Sequence, residues 1–296
     1  MANIYLRSTD GSDADNGSTW ALAKATMVGA LAIATNADTI WVSQAHAELQ
    51  ITDMTLTFPT TPGLKVLCGN DAAEPPTALS TLASVSIGAG NVGLNFAAGF
   101  AYIYGVIFNG GTNNSGTCDI NISQSALPMG MVFDSCAFNI RSINSTALIL
   151  LGTSASGTID DVSLVFINPI FKHGATTQKI NIKYGRIEMY GVTLDGGGSI
   201  PTTLFSNVAA ISSYIVIEAS DLSGVAFTNL LDWSAAAPGL FIIRNTKLPA
   251  NITVVTGSNP GPGGIIVKMH NCDSGDTNYR FAEHAYEGSV VNETTI

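Results

Sequence analysis

Ile103-Tyr104-Gly105-Val106-Ile107-Phe108-Asn109-Gly110 decides how this chain folds, because the chain nearly repeats it as Met189-Tyr190-Gly191-Val192-Thr193-Leu194-Asp195-Gly196. In both, apolar residues run into a small, turn-forming residue and then resume. Looser versions occur at 132–138, 166–171, 215–222, 241–248 and 267–272. Taking the small residue as phase marker gives Gly105, Ser135, Asn168, Gly191, Ser220, Asn245 and Asn271, spaced by 30, 33, 23, 29, 25 and 26 residues. A solenoid coil of three short strands plus loops needs about this many, within the roughly 20–45 residues of known repeat units. Inward Val, Ile, Leu and Phe then form ladders from coil to coil, polar side chains face out, and the small residue permits a tight turn. An antiparallel sandwich or jelly roll is the rival, and it needs two-residue hairpins. Asn109-Gly110 and Asp195-Gly196 read that way, but more glycine and a longer loop follow each.

Composition agrees with an all-β chain. Only 11% of the 296 residues are charged and 46% are hydrophobic, too few charges to cover the helices of an α/β enzyme, for which about 25% is usual. The polar residues are mostly Ser, Thr, Asn and Gly, which suit strands and turns. No apolar run reaches the roughly 18 residues of a membrane span, so membrane insertion is not expected. The net charge is −10 and the 12 basic residues form no cluster, so the phosphate-binding footprint of a nucleic-acid protein is missing. The four cysteines, Cys68, Cys118, Cys136 and Cys272, are scattered and read as buried free thiols. The opening residues show no secretory signal, and without one the sequons at Asn121, Asn144, Asn251 and Asn292 carry little weight.

The first 45 residues read as a strand at 3–6, a turn-rich acidic loop at 10–17, a helix over about 21–34 and a strand at 39–42. Ala23, Met27, Ala30, Leu31 and Ala34 give the helix one apolar face. Gly11-Ser12-Asp13, Asn16-Gly17, Trp20-Ala21, Ala30-Leu31 and Asp38-Thr39-Ile40-Trp41-Val42 together resemble the opening of the pectate-lyase-like right-handed parallel β-helix proteins, among them virion structural proteins of tailed bacteriophages. Departures fall at Ala37, where glycine is usual, and at 43–46. The resemblance covers about a sixth of the chain. It implies a right-handed parallel β-helix whose N-terminal α-helix caps the open end, protecting core and strand edges. The organisation expected is a cap at 1–45, the β-helix at 46–275, and a tail or the start of a further β-domain at 276–296.

Chemistry is sparsely written. Glycosidases need two carboxylates some 5–9.5 Å apart. Glu188 and Glu218 are 30 residues apart and suit stacking on adjacent coils, Asp195 and Asp221 share a similar phase, and Asp160-Asp161 is an adjacent pair. Asp10, Asp13, Asp15 and Asn16 are the candidates for a Ca²⁺ loop, though EF-hand order is not met. His46, His173, His270 and His284 lack metal-ligand spacing and read as surface or loop residues. Trp20 and Trp41 read as packing for the helix, and Trp233 as a residue without an assigned task. No cofactor motif occurs.

The resemblance, with the unconcentrated acids, implies a non-enzymatic structural or adhesive component on the exterior of a phage virion: a capsid decoration, head fibre or tail-associated protein. Its partners are then other virion proteins, further copies of itself (by analogy a homotrimer) and a host-surface glycan. The alternative is a polysaccharide-degrading tailspike or lyase using Glu188 with Glu218.

Overall fold

All pairings between the strands are parallel, and they sort into three stacks. The computed structural model describes residues 1–60, 62–115, 119–122, 128–146, 148–152, 162–195, 198–207, 212–234, 238–257 and 265–273, with the backbone alone at 280–281 and 291–293. Sheet A stacks Asn3–Leu6, Thr39–Ser43, Leu64–Gly69, the second half of Leu94–Tyr104, Met129–Asp134, Val162–Ile167, Gly185–Tyr190, Ser213–Glu218, Gly239–Arg244, Ile265–His270 and Val291–Glu293. Sheet B stacks Ala47–Gln50, Ala83–Ile87, Val106–Asn109, Ala137–Asn139, Ile170–Lys172 and Thr193–Leu194. Sheet C stacks Met54–Thr57, the start of Leu94–Tyr104, Ile120–Ile122, Ile149–Leu151, Ile180–Ile182, Thr203–Asn207, Asn229–Trp233, Thr253–Thr256 and Arg280–Phe281. The chain visits A, B and C in turn and returns to A, so each strand pairs with the strand one circuit away. Long all-parallel sheets in this order are consistent with a β-helix. Leu94–Tyr104 runs from C into A without a break.

Sheet B tapers. After Thr193–Leu194 it continues, among the described residues, as single bridges, Asp221 to Lys247 and Lys247 to Asp273. Of residues 276–296, the described part is two short strands that extend sheets C and A.

The corner between sheets A and B explains the repeat. Gly105, Ser135, Asn168, Gly191, Ala219, Asn245 and Asn271 all have left-handed backbone, with φ between 48° and 73°. Glycine and asparagine tolerate that region best. The marker at Ser220 is thus one residue late. The next residue tightens the corner. Cys136 Sγ donates to the carbonyls of Asp134 and Ile103 at 3.4 and 3.5 Å, and Cys272 Sγ to that of His270 at 3.4 Å. Ser220 Oγ and Thr246 Oγ1 make the same bond, two residues back, to Glu218 and Arg244. Burial pushes the Cys136 thiol up to about 12. Cys68 and Cys136 are free thiols, and Cys118 lies outside the described residues.

Between the sheets the core is an aromatic ladder. Phe133 stacks on Phe166 at 5.2 Å, and Phe138 lies between Phe108 and Phe171 at 5.6 and 5.5 Å. Edge-to-face contacts join the rows, such as Phe133 to Phe138 at 5.2 Å. All are buried. Offset and edge-to-face pairs of this kind add about 0.5–1.5 kcal/mol each beyond area burial.

The N-terminal segment is less helical than its sequence suggests. A single 3-10 turn spans Trp20–Leu22, and helix α1 is only Met27–Ile33. Lys24 bridges Leu6 in extended form, and Thr26 is the N-cap, its hydroxyl accepting from the Gly29 amide at 2.9 Å. Met27, Ala30 and Leu31 face the core. Trp20 and Trp41 do not pack the helix. With Tyr5 they form a separate apolar cluster, and Trp20 meets Tyr5 edge-on at 4.8 Å. Among the described residues no helix is long and apolar enough to cross a membrane.

Candidate functional site

The outward face of sheet A collects the polar and aromatic side chains with chemical potential. Strand alternation sends every second residue outward, and the parallel register stacks these into columns. One column runs Tyr104, Asp134, Ile167, Tyr190, Glu218, Arg244, His270. The next runs Lys65, Tyr102, Val132, Val165, Glu188, Val216, Ile242, Lys268. A third includes Arg186 and Tyr214.

Glu188 and Glu218 share this face but do not stack. Glu188 is level with Val216, and Glu218 with Tyr190. The reason is coil length: from Gly191 to Ala219 the corner advances 28 residues, not 30. Each glutamate has its own partners. Tyr190 Oη donates to Glu188 Oε2 at 2.6 Å, and Arg186 Nε donates to Glu188 Oε1. Burial pushes the Glu188 carboxyl up, but the bonds from Tyr190 and Arg186 outweigh it, so the group sits below its ordinary value. The same bond pushes the Tyr190 hydroxyl up to about 12. The Arg186 guanidinium lies 5.0 Å from the centre of the Tyr214 ring. Glu218 receives Asn245 Nδ2 at 3.4 Å and lies 4.0 Å from Arg244 Nη1. Three coils toward the N-terminus, Tyr102 Oη donates to Asp134 Oδ2 at 2.7 Å. Burial, then that bond, raises the Tyr102 pKa.

The other candidates fall elsewhere. Asp195 and Asp221 lie along sheet B but out of phase, four residues past Gly191 and two past Ala219 respectively. Each meets a lysine one coil away, Lys172 at 3.1 Å and Lys247 at 3.5 Å. Hydrogen bonds from the Ser223 hydroxyl and amide hold Asp221 below its usual range. Asp160-Asp161 and His284 lie outside the described residues.

In the opening loop, Asp13 Oδ1 accepts the Ala25 and Thr26 amides at 2.9 and 3.0 Å, and Oδ2 accepts the Thr26 hydroxyl at 2.6 Å. That is helix-entry capping, with a carboxylate at the positive end of α1. Asp10 pairs with Arg7 at 2.5 Å, and the Asp15 amide donates to the Ser12 carbonyl. Among the described residues no three His, Cys, Asp or Glu side chains gather as a metal site.

Two histidines are not at the surface, although His46 does lie in a loop, between Thr39–Ser43 and Ala47–Gln50. His46 and His173 are buried, at 1% and 2% exposure. His46 Nε2 lies 3.4 Å from Glu48 Oε2, and burial pushes the His173 imidazole down to about 4. His270 is half-buried at the C-terminal end of the first column. Trp233 is a core residue, its ring so close to Gly239 that a Cβ there would sit 2.2 Å from it.

Sequence reasoning passed over Tyr102, Tyr104, Asp134, Arg186, Tyr214 and Arg244. The signal was period two: Phe100-x-Tyr102-x-Tyr104 and Arg186-x-Glu188-x-Tyr190 each place polar or aromatic residues on one strand face. No family model, no curated protein and no solved structure matches the chain.

Proposed function

We propose that the chain is a right-handed parallel β-helix, closed at its N-terminal end by helix α1, that serves as a structural or adhesive component on the exterior of a phage virion and binds rather than cleaves host-surface glycan. The handedness follows from the crossover rule for parallel strands, which about 98% of such connections obey. Capping by α1 is supported by Met27, Ala30 and Leu31, whose side chains join the main core. The virion assignment rests on the resemblance of the opening segment. Trimers are the assembly expected by analogy.

The observation that carries the adhesive reading is the pairing on sheet A. Glu188 is held as a carboxylate by Tyr190 and Arg186, whereas a glycosidase acid needs a raised pKa. Asp119, a carboxyl that burial does push up, precedes Ile120–Ile122 of sheet C instead and accepts the Leu148 amide at 2.7 Å. What remains on sheet A is a sheet face carrying tyrosine rings, guanidinium groups and fixed carboxylates. Aromatic faces with planar donors and acceptors are the means by which proteins hold sugar rings without reacting with them.

The test is a glycan array probed with the purified chain, paired with a reducing-end assay on every polysaccharide bound. Binding without new reducing ends, weakened at least tenfold in Tyr214→Ala, supports the reading. Release of new ends that disappears in Glu188→Gln replaces it with the depolymerase. Cryo-EM of the particle that carries the chain tests the location.

A further inference from the structure

The three stacks are not closed alike at the N-terminal end. Sheet A's first strand, Asn3–Leu6, is bonded to the segment before the helix: the Tyr5 amide donates to the Gly17 carbonyl at 2.8 Å, and the Lys24 amide to the Tyr5 carbonyl at 2.9 Å. Helix α1 packs on sheet C's first strand, Met54–Thr57. Sheet B's first strand, Ala47–Gln50, has a strand on one side, Ala83–Ile87, and among the described residues none on the other. We propose that this second edge takes an extended segment of a partner protein as an added strand, with a lysine or arginine of that segment in the adjoining cleft. The inference is independent of the sheet A face.

The bonding shows which groups face that edge. The Ser84 amide donates to the His46 carbonyl at 2.8 Å, and the Gly88 amide to the Gln50 carbonyl at 2.6 Å. Residues 46, 48 and 50 therefore serve the neighbouring strand, and alternation turns the peptide groups of Ala47 and Leu49 the other way. The Ala47 amide donates to Ser8 Oγ at 2.8 Å. Among the described residues the Leu49 amide and carbonyl meet no partner on that side. Leu49 and Ile51 are 61% and 74% exposed. An unpaired edge flanked by apolar side chains is a template for strand addition, in which main-chain bonds hold the segment and side-chain pockets select it.

The pocket that selects is a cleft of about 340 Å³ beginning at Gln50, where the end of the strand meets the entry to α1. Asp53 and Thr55 line it from the turn toward sheet C, and Asp13, Thr26 and Val28 from the helix entry. Asp53 Oδ1 accepts the Gly93 amide at 2.7 Å, and the bonds to Asp13 come from two amides and a hydroxyl, all neutral donors. The Lys24 ammonium donates to the Asp13 carbonyl at 2.8 Å, so two carboxylates face one cation and the cleft stays negative. A second copy of this chain, with net charge −10 and its basic residues scattered, brings like charge to the edge, which opposes pairing. A partner segment with a cationic side chain next to apolar ones matches both the cleft and the edge.

The experiment probes the purified chain with an array of synthetic peptides of alternating valine and threonine, each carrying one lysine at a different position, and the same array with glutamate in place of lysine. Saturable binding of a lysine peptide, at least tenfold tighter than its glutamate counterpart, is the expected result. N-methylation of the best peptide at alternate residues separates its two edges: one set should lose at least tenfold in affinity and the other little. Leu49→Pro removes the edge donor and no bond of the existing ladder, and should also cost at least tenfold; Asp53→Asn should cost severalfold. If L49P does not fold, the N-methylated peptides and D53N decide. No saturable binding by any lysine peptide, or binding indifferent to both N-methylation sets, overturns the proposal. So does a dimer in analytical ultracentrifugation that dissociates in L49P, which would put a second copy on the edge.

Discussion

The Met27 amide donates to Glu48 Oε2 at 2.8 Å, so the first residue of helix α1 is tied to a core-facing carboxylate of sheet B. Glu48 is 3% exposed, lies 3.4 Å from His46 Nε2, and accepts Gln50 Nε2 at 3.0 Å on its other oxygen. Glu48→Ala leaves the helix amide and the imidazole without that partner. The expected loss is about 2–3 kcal/mol, read from urea unfolding. Amide exchange should accelerate over residues 27–33 first. Glu48→Gln keeps an acceptor and should lose less.

Ala37 occupies left-handed backbone, with φ 67°. A side chain there costs roughly 1–2 kcal/mol, of which glycine gives back about 0.4–1 through its looser unfolded state. Ala37→Gly should therefore stabilise by about 0.5–1 kcal/mol. A thermal melt checks it, and a lowered midpoint sinks the account. Ala37→Val should destabilise.

His173 gives the fold a dependence on acid. Burial holds its folded pKa at about 4, against 6.5 for an unperturbed histidine. The unfolded chain takes up a proton below pH 6.5 that the folded chain refuses. Stability from this source is complete above 6.5, declines as pH falls toward 4, and declines no further below that. The full decline is about 3 kcal/mol. Urea curves at pH 7.5, 5.5 and 4 should show it in the parent. The decline should be smaller by about that amount in His173→Leu, and parallel profiles would contradict it.

Phe138 sits at the middle of the aromatic ladder, meeting Phe108, Phe133, Phe166 and Phe171 at 5.2 to 5.6 Å. Phe138→Ala should cost about 3–5 kcal/mol. Phe138→Leu, which fills much of the space, should cost under about 1.5 kcal/mol. A difference of less than 1 kcal/mol between the two, in urea titration, would mean that the ladder repacks.

The parallel stacks were legible because their corners need residues that tolerate left-handed backbone, and Gly105, Asn168, Gly191, Asn245 and Asn271 mark them by type. Ala219 carries no such mark by type, and the neighbouring Ser220 resembles a corner residue more closely. Coil length matters on the surface: an advance of 30 residues would set Glu218 beside Glu188, and the actual 28 sets it beside Tyr190. The histidines failed for a different reason. Phe171 in, Lys172 half out, His173 in continues the strand alternation beyond the last residue of Ile170–Lys172, and a polar residue type concealed it. The opening helix was overdrawn because alanine-rich sequence favours helix, while the pairing of Lys24 with Leu6 is a long-range contact that local propensity does not reveal.

The taper of sheet B gives the molecule a polarity of unravelling. From Ala47–Gln50 up to Thr193–Leu194 each circuit is fastened by three ladders; among the described residues beyond Ala219 the third is reduced to the bridges at Asp221, Lys247 and Asp273. Because each circuit leans only on its neighbours, heat or a pulling force should strip the later circuits first, one by one, and stall where the third ladder resumes. The chain is built like a rope whose lay tightens toward the end that holds α1.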